Sequence, residues 1–140
     1  MAAAKAIRKT ALAALAAGAF LLLAAGDLAL RSRSALLRAE QEAYWHGNPA
    51  AKAAHFEAEF AKKDLATGRS ADLRSAEKDF RVTESSAKMA YLWYRTAAED
   101  FKFPGNPWAA KARRALPGAL AAWRAELAAK GVKAEPWMTQ

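Results

Sequence analysis

The sequence has no cysteine in its 140 residues. That excludes disulfides, thiolate zinc sites, iron–sulfur clusters and covalently attached c-type haem. Large β-branched residues are nearly missing too: isoleucine occurs once (Ile7) and valine twice (Val82, Val132). A strand-built core draws on such residues, so the composition argues against all-β and α/β folds. The 7 glycines are scattered and form no phosphate-cradling loop. Histidine occurs twice, as His46 and His55. His55 and Glu59 have a metal-capable spacing of four, but Glu57 lies on another helical face and no third ligand is at hand. The pair reads as a solvated polar face. Carboxylates mostly alternate with lysine and arginine, and no pair is singled out for acid–base work. The expectation is a protein with no cofactor, no metal and no catalytic residue, and so not an enzyme.

What the chain has in abundance is alanine, 40 residues, with 15 leucines. Alanine is the strongest helix former because it loses no side-chain entropy on becoming helical. The predicted fold is all-α: one N-terminal transmembrane helix followed by a small domain of about four helices. The net charge of +8 is spread along the chain and reads as solubility with some attraction to anionic surfaces.

The first ten residues are basic and lack acids; the run from Thr10 to Gly26 then carries no charge. This is at the short edge of the roughly 17–25 residues needed to span a bilayer. Two readings compete. One is a cleaved leader, with Ala24-Ala25-Gly26 as the small-residue cleavage site before Asp27. The other is an uncleaved signal anchor over about Ala11 to Leu30, with Asp27 at the helix end where a charge costs less. The anchor is the preferred reading. Ala14, Gly18, Leu22 and Gly26 share one face, and small residues there let a neighbouring transmembrane helix approach. Basic residues flank both ends, so the positive-inside rule leaves orientation nearly tied. The signal-like order places the N-terminus in the cytoplasm and the domain in the periplasm of a bacterial inner membrane.

Beyond the span the domain boundaries read as 1–30 for the anchor, 31–48 for a helix leaving the membrane, 49–131 for a compact helical domain and 132–140 for a tail. His46-Gly47-Asn48-Pro49 stops the first helix, with Gly47 as a left-handed C′ residue, Asn48 as N-cap and Pro49 at the first helical position. A helix over Ala50–Lys63 follows, then a loop from Leu65 to Ser70. A short helix over Ala71–Phe80 is capped by Ser70. A helix over Glu84–Phe101 carries the stripe Ala87, Ala90, Tyr91, Tyr94, Ala97, Ala98 and Phe101. Asn106 and Pro107 start the last helix, which runs to about Lys130 with Gly131 as its C′ residue. Pro117-Gly118 inside it predicts a kink or restart. Gly47-Asn48-Pro49 and Gly105-Asn106-Pro107 are followed by similar residues, which reads as one capping chemistry used twice.

Tyr94 to Phe101 (YRTAAEDF) and Pro107 to Arg113 (PWAAKAR) resemble the helical hairpins of tetratricopeptide-like envelope proteins over residues 87–127. The resemblance implies a helical protein-binding surface and gives no residue a known role. A solenoid needs about three such repeats, and one is present.

The aromatics carry the remaining signal. Of 14, all but Phe20 lie at or beyond Tyr44. Tyr91-Leu92-Trp93-Tyr94 points bulk in several directions around a helix, more than one face can hold. Trp45, Trp93, Tyr94, Trp108 and Trp137 are therefore the candidate partner anchors. Lys111, Arg113 and Arg114, with Trp108 nearby, are the candidate contacts for anionic lipid or an acidic partner. The expected function is that of a non-catalytic accessory subunit of a larger inner-membrane complex, with an energy-converting complex among the candidates. The expected partners are other membrane subunits and the lipid bilayer, with no nucleic acid and no small-molecule substrate. The competing expectation is a secreted or anchored periplasmic adaptor of tetratricopeptide-like type.

Overall fold

The computed structural model describes residues 2–64 and 71–138, with side chains for 11–62, 71–136 and 138. These residues are helical almost throughout and contain no strand. The helices are α1 (Ala2–Gly47), α2 (Pro49–Asp64), α3 (Ala71–Thr83), α4 (Ser86–Arg95) and α5 (Pro107–Ala129). A π-helical turn (Thr96–Asp100) extends α4, and a 3-10 turn (Pro136–Met138) closes the chain. The predicted loop at Leu65–Ser70, with its Ser70 cap, lies outside the described residues.

Three helices make the core. The second half of α1 packs on α4 and α5, which also pack on each other, and side-chain contacts fix the directions. Ser32 bonds to Ala97, and Arg33 lies over Trp108. Farther along, Arg38 lies over Trp93 and Glu40 pairs with Lys111. Beyond them, Ser85 bonds to Glu126. So α4 runs antiparallel to α1 and α5 runs parallel to it. The link between the π-turn and α5 sits at the end of the bundle nearest the apolar half of α1. Residues 31–48 pack on α4 and α5 as part of the bundle, and α4 supplies residues to both of its core clusters.

Alanine explains the closeness of these helices. Ala35, Ala39, Ala90, Ala97, Ala98 and Ala112 are all buried around Leu36 and Tyr94. A second cluster joins Ala87, Tyr91 and Trp123, whose rings stack at 5.4 Å. Six of the seven stripe residues, carried by α4 and the π-turn, are buried, and Phe101 just beyond is half-buried. Small residues let backbones approach, and a few large rings supply the apolar area that alanine lacks. The hairpin resembling tetratricopeptide units forms from α4 and α5, but its packing partner is α1 and not another hairpin.

Ser32 is wholly buried, and its hydroxyl donates to the Ala97 carbonyl at 3.0 Å. That carbonyl lies in the π-turn, where widening the helix changes which backbone groups pair within it. A buried hydroxyl needs a partner, and here the irregular turn provides one.

The two Gly-Asn-Pro segments behave differently. Asn106 is buried and accepts from the backbone of Trp108 and Ala109, while its amide donates to the Phe101 carbonyl at 3.0 Å. It is the predicted N-cap and also ties down the preceding loop. In that loop Pro104-Gly105 forms the centre of a turn closed by Asn106 N–H to Phe103 O, with Gly105 at φ 82°. This is the type II geometry that favours Pro then Gly. Asn48 instead turns its amide back to the Tyr44 carbonyl at 2.9 Å. Gly47 is not left-handed: the positive-φ glycines among the described residues are Gly105 and Gly131. The reversal after α1 is made by Asn48 N–H bonding to Trp45 O, three residues back. Gly131 is the left-handed C′ residue expected for α5. α5 continues without a restart through Pro117. Pro117 and Arg113 are both exposed, so the position of the missing N–H lies on the outer side of α5.

Candidate functional site

α1 is the one helix among the described residues long and apolar enough to cross a membrane. Every residue from 11 to 23 is exposed, so the bundle does not cover this stretch. Ala14, Gly18 and Leu22 line a shallow groove with Leu15 and Ala19, as their shared face predicts; Gly26 is exposed one turn beyond. Asp27 forms an ion pair with Arg31 at 2.7 Å where the apolar run ends.

The five aromatic anchors do not act as a set. Trp45 is only 7% exposed, with its ring 4.9 Å from His55 and 5.5 Å from Phe56. It holds α2 on α1. Tyr94 is buried in the main cluster. Neither is available to a partner, because small alanine-lined helices need these rings internally. Trp93 and Trp108 are half-buried and carry Arg38 and Arg33 over their rings at 4.8 and 5.6 Å. The side chain of Trp137 lies outside the described residues. Of the basic trio, Lys111 is engaged by Glu40 at 2.6 Å, while Arg113 and Arg114 are exposed on α5.

A better candidate face lies on α1 itself. Leu30, Leu37 and Tyr44 are exposed, the last two by 53% and 58%. Their spacing of seven puts them on one line of the helix, which drifts only ~20° per heptad. Leu23, also exposed, extends the line into the apolar run. The seven-residue spacing is visible in the sequence, but Leu37 and Tyr44 look there like ordinary members of an apolar stripe. Leu73 and Phe80 on α3 are exposed as well, and among the described residues α3 packs on α2 alone of the helices.

Between α1, α2 and the α3–α4 junction lies a cavity of about 330 Å³, lined by Arg38, Glu42, Glu59, Arg81 and Glu84 among others. Lys52, only 4% exposed, donates from its ammonium to the Glu84 carbonyl. Glu42 Oε2 and Ser86 Oγ are shut off from solvent and make no hydrogen bond of ordinary geometry. Burial pushes the Glu42 carboxyl up; the nearby Ser86 hydroxyl and Lys52 ammonium pull it down, and Glu84 adds to the rise. A raised carboxyl stabilises the fold in its protonated form. Its contribution is complete below about pH 4.5 and is lost as pH rises through the folded value. Glu42→Gln is therefore expected to flatten the decline in melting temperature above that range. Parallel pH profiles for the two proteins would count against this account of the junction.

His55 and Glu59 sit 3.5 Å apart on an exposed face, and no group of three metal-ligating side chains gathers among the described residues. The chain matches no protein-family model, no curated protein and no solved structure.

Proposed function

We propose that this chain is a non-catalytic, single-pass accessory subunit of a larger bacterial inner-membrane complex, with its helical domain in the periplasm. The observation that carries the reading is the exposed apolar line of α1. It begins in the apolar run at Leu23 and continues through Leu30, Leu37 and Tyr44 alongside the bundle. A helix that is apolar where lipid would meet it, and still apolar on one line beyond, suits a partner that follows it from the bilayer into the domain. The exposed small-residue face at Ala14, Gly18 and Leu22 fits the same role. The basic start followed by an apolar run supports the assigned orientation. Because Trp45 and Tyr94 are buried, the reading assigns docking to this line and not to the scattered aromatics.

The test is purification of the full chain in mild detergent, with intact mass and subunit stoichiometry measured together. The expected result is an unprocessed chain with stoichiometric membrane partners. Leu37→Glu is expected to release those partners while leaving helicity unchanged, since Leu37 lies outside the core. A solitary monomer overturns the reading. A mass lacking the first 26 residues favours a processed periplasmic adaptor instead.

A further inference from the structure

We propose that the end of the bundle nearest the apolar run, formed by Arg33, Lys102, Pro104 and Arg113, rests on anionic phospholipid headgroups. The inference depends on α1 crossing the bilayer. Four observations converge on it. First, this end is fixed in height. Ser32 bonds to Ala97 and Arg33 lies over Trp108, so the link between the π-turn and α5 is held beside residues 32–33 of α1. Second, the bundle begins close to the apolar stretch: the span ends at about Leu30, and Ser32, Ala35 and Leu36 are the first buried residues of α1 beyond it. Ser32 lies two residues past Leu30, or about 3 Å along a helix. The headgroup layer adds about 5–7 Å to each side of the hydrocarbon core. This end of the bundle therefore falls within that layer.

Third, the charge is of the right sign. Lys102 and Arg113 are exposed and border one open hollow with Pro104 and Pro107. Arg31 is occupied by Asp27, and Asp100 is the acidic residue at the end of the π-turn. The surplus left by Arg33, Lys102 and Arg113 is positive. Fourth, the apolar content suits the interface. Phe101, Phe103 and Trp108 are half-buried beside these cations, and amphipathic rings with basic neighbours settle at headgroup depth. The Pro104-Gly105 turn, held by Asn106, presents this loop as a fixed edge. Sequence alone pointed to Lys111, Arg113 and Arg114; the fold removes Lys111 to Glu40 and brings in Lys102 and Arg33.

The absence of cysteine allows single labels. Full-length chains carrying Leu22→Cys, Pro104→Cys or Ala129→Cys, each with an environment-sensitive fluorophore, are reconstituted into phosphatidylcholine vesicles with and without phosphatidylglycerol. Spin-labelled lipids then report contact. The expected result is quenching at position 22 in both membranes and none at 129, at the far end of the bundle. At 104, shallow spin labels quench, and more strongly when phosphatidylglycerol is present. Adding Lys102→Gln and Arg113→Gln is expected to abolish that increment, with helicity confirming the fold. If position 22 is quenched while 104 behaves like 129, the headgroup contact is wrong and the single-pass reading stands; a protein partner on this edge gives that result. If position 22 is unquenched, both fail.

Discussion

Trp123→Ala is expected to destabilise the domain by about 3–5 kcal/mol, the range for emptying a buried large aromatic position. Trp123 is buried and stacks on Tyr91 at 5.4 Å, with Leu120, Leu127 and Met138 packed around the pair. Alanine is already the dominant core residue here, so its neighbours have little bulk with which to refill the space. Domains of this size are stable by roughly 5–15 kcal/mol in total, so the loss is a large share of the whole. Urea unfolding of the detergent-solubilised chain, followed by circular dichroism, measures it. A loss below 1 kcal/mol would mean that Tyr91 and Leu120 collapse into the gap and that the second cluster is not a fixed core.

Asn106→Ala is expected to cost about 2 kcal/mol, and Asn48→Ala well under half of that. The two residues stand in matching Gly-Asn-Pro segments, so local sequence predicts equal effects. Their surroundings differ. Asn106 is buried, accepts from two backbone N–H groups and donates to a third partner. Removing it strands Trp108 N–H and Ala109 N–H at the start of α5 and frees the Phe101 carbonyl. Asn48 is exposed, and water replaces its bond to the Tyr44 carbonyl. Comparing the two variants by unfolding in the same detergent tests this; equal losses would mean that capping alone, and not burial, sets the value.

These pairs also show what the sequence could convey. The stripe on α4, the cap at Asn106 and the stop at Gly131 were legible because spacing and cap chemistry act within a few residues. Breaker residues marked the ends of α1, α2 and α5 within about two residues for the same reason. Gly47 was misread because a glycine permits a left-handed turn but does not require one, and the bond from Asn48 to Trp45 made the turn without it. Pro117 does not restart the helix: one proline removes a single hydrogen bond, and its position on the exposed side of α5 limits that cost. The π-turn and its Ser32 partner left no local signal: the two halves are 65 residues apart. Trp45 and Tyr94 illustrate the remaining limit. Composition shows that there are more rings than one face can hold, but only packing decides which rings an alanine-rich core keeps.

The unbroken course of α1 has a mechanical consequence. Its 46 residues extend about 70 Å at 1.5 Å each, and no linker interrupts them between the apolar run and the centre of the bundle. A domain on a flexible tether samples many heights and headings above a surface and loses that freedom when it docks. Here the bundle's height, tilt and rotational heading are set together with those of the apolar half of α1. A neighbour that seizes the apolar half of α1 thereby aims Leu37 and Tyr44 at the same time, so much of the orientational entropy of assembly is removed before the second contact forms.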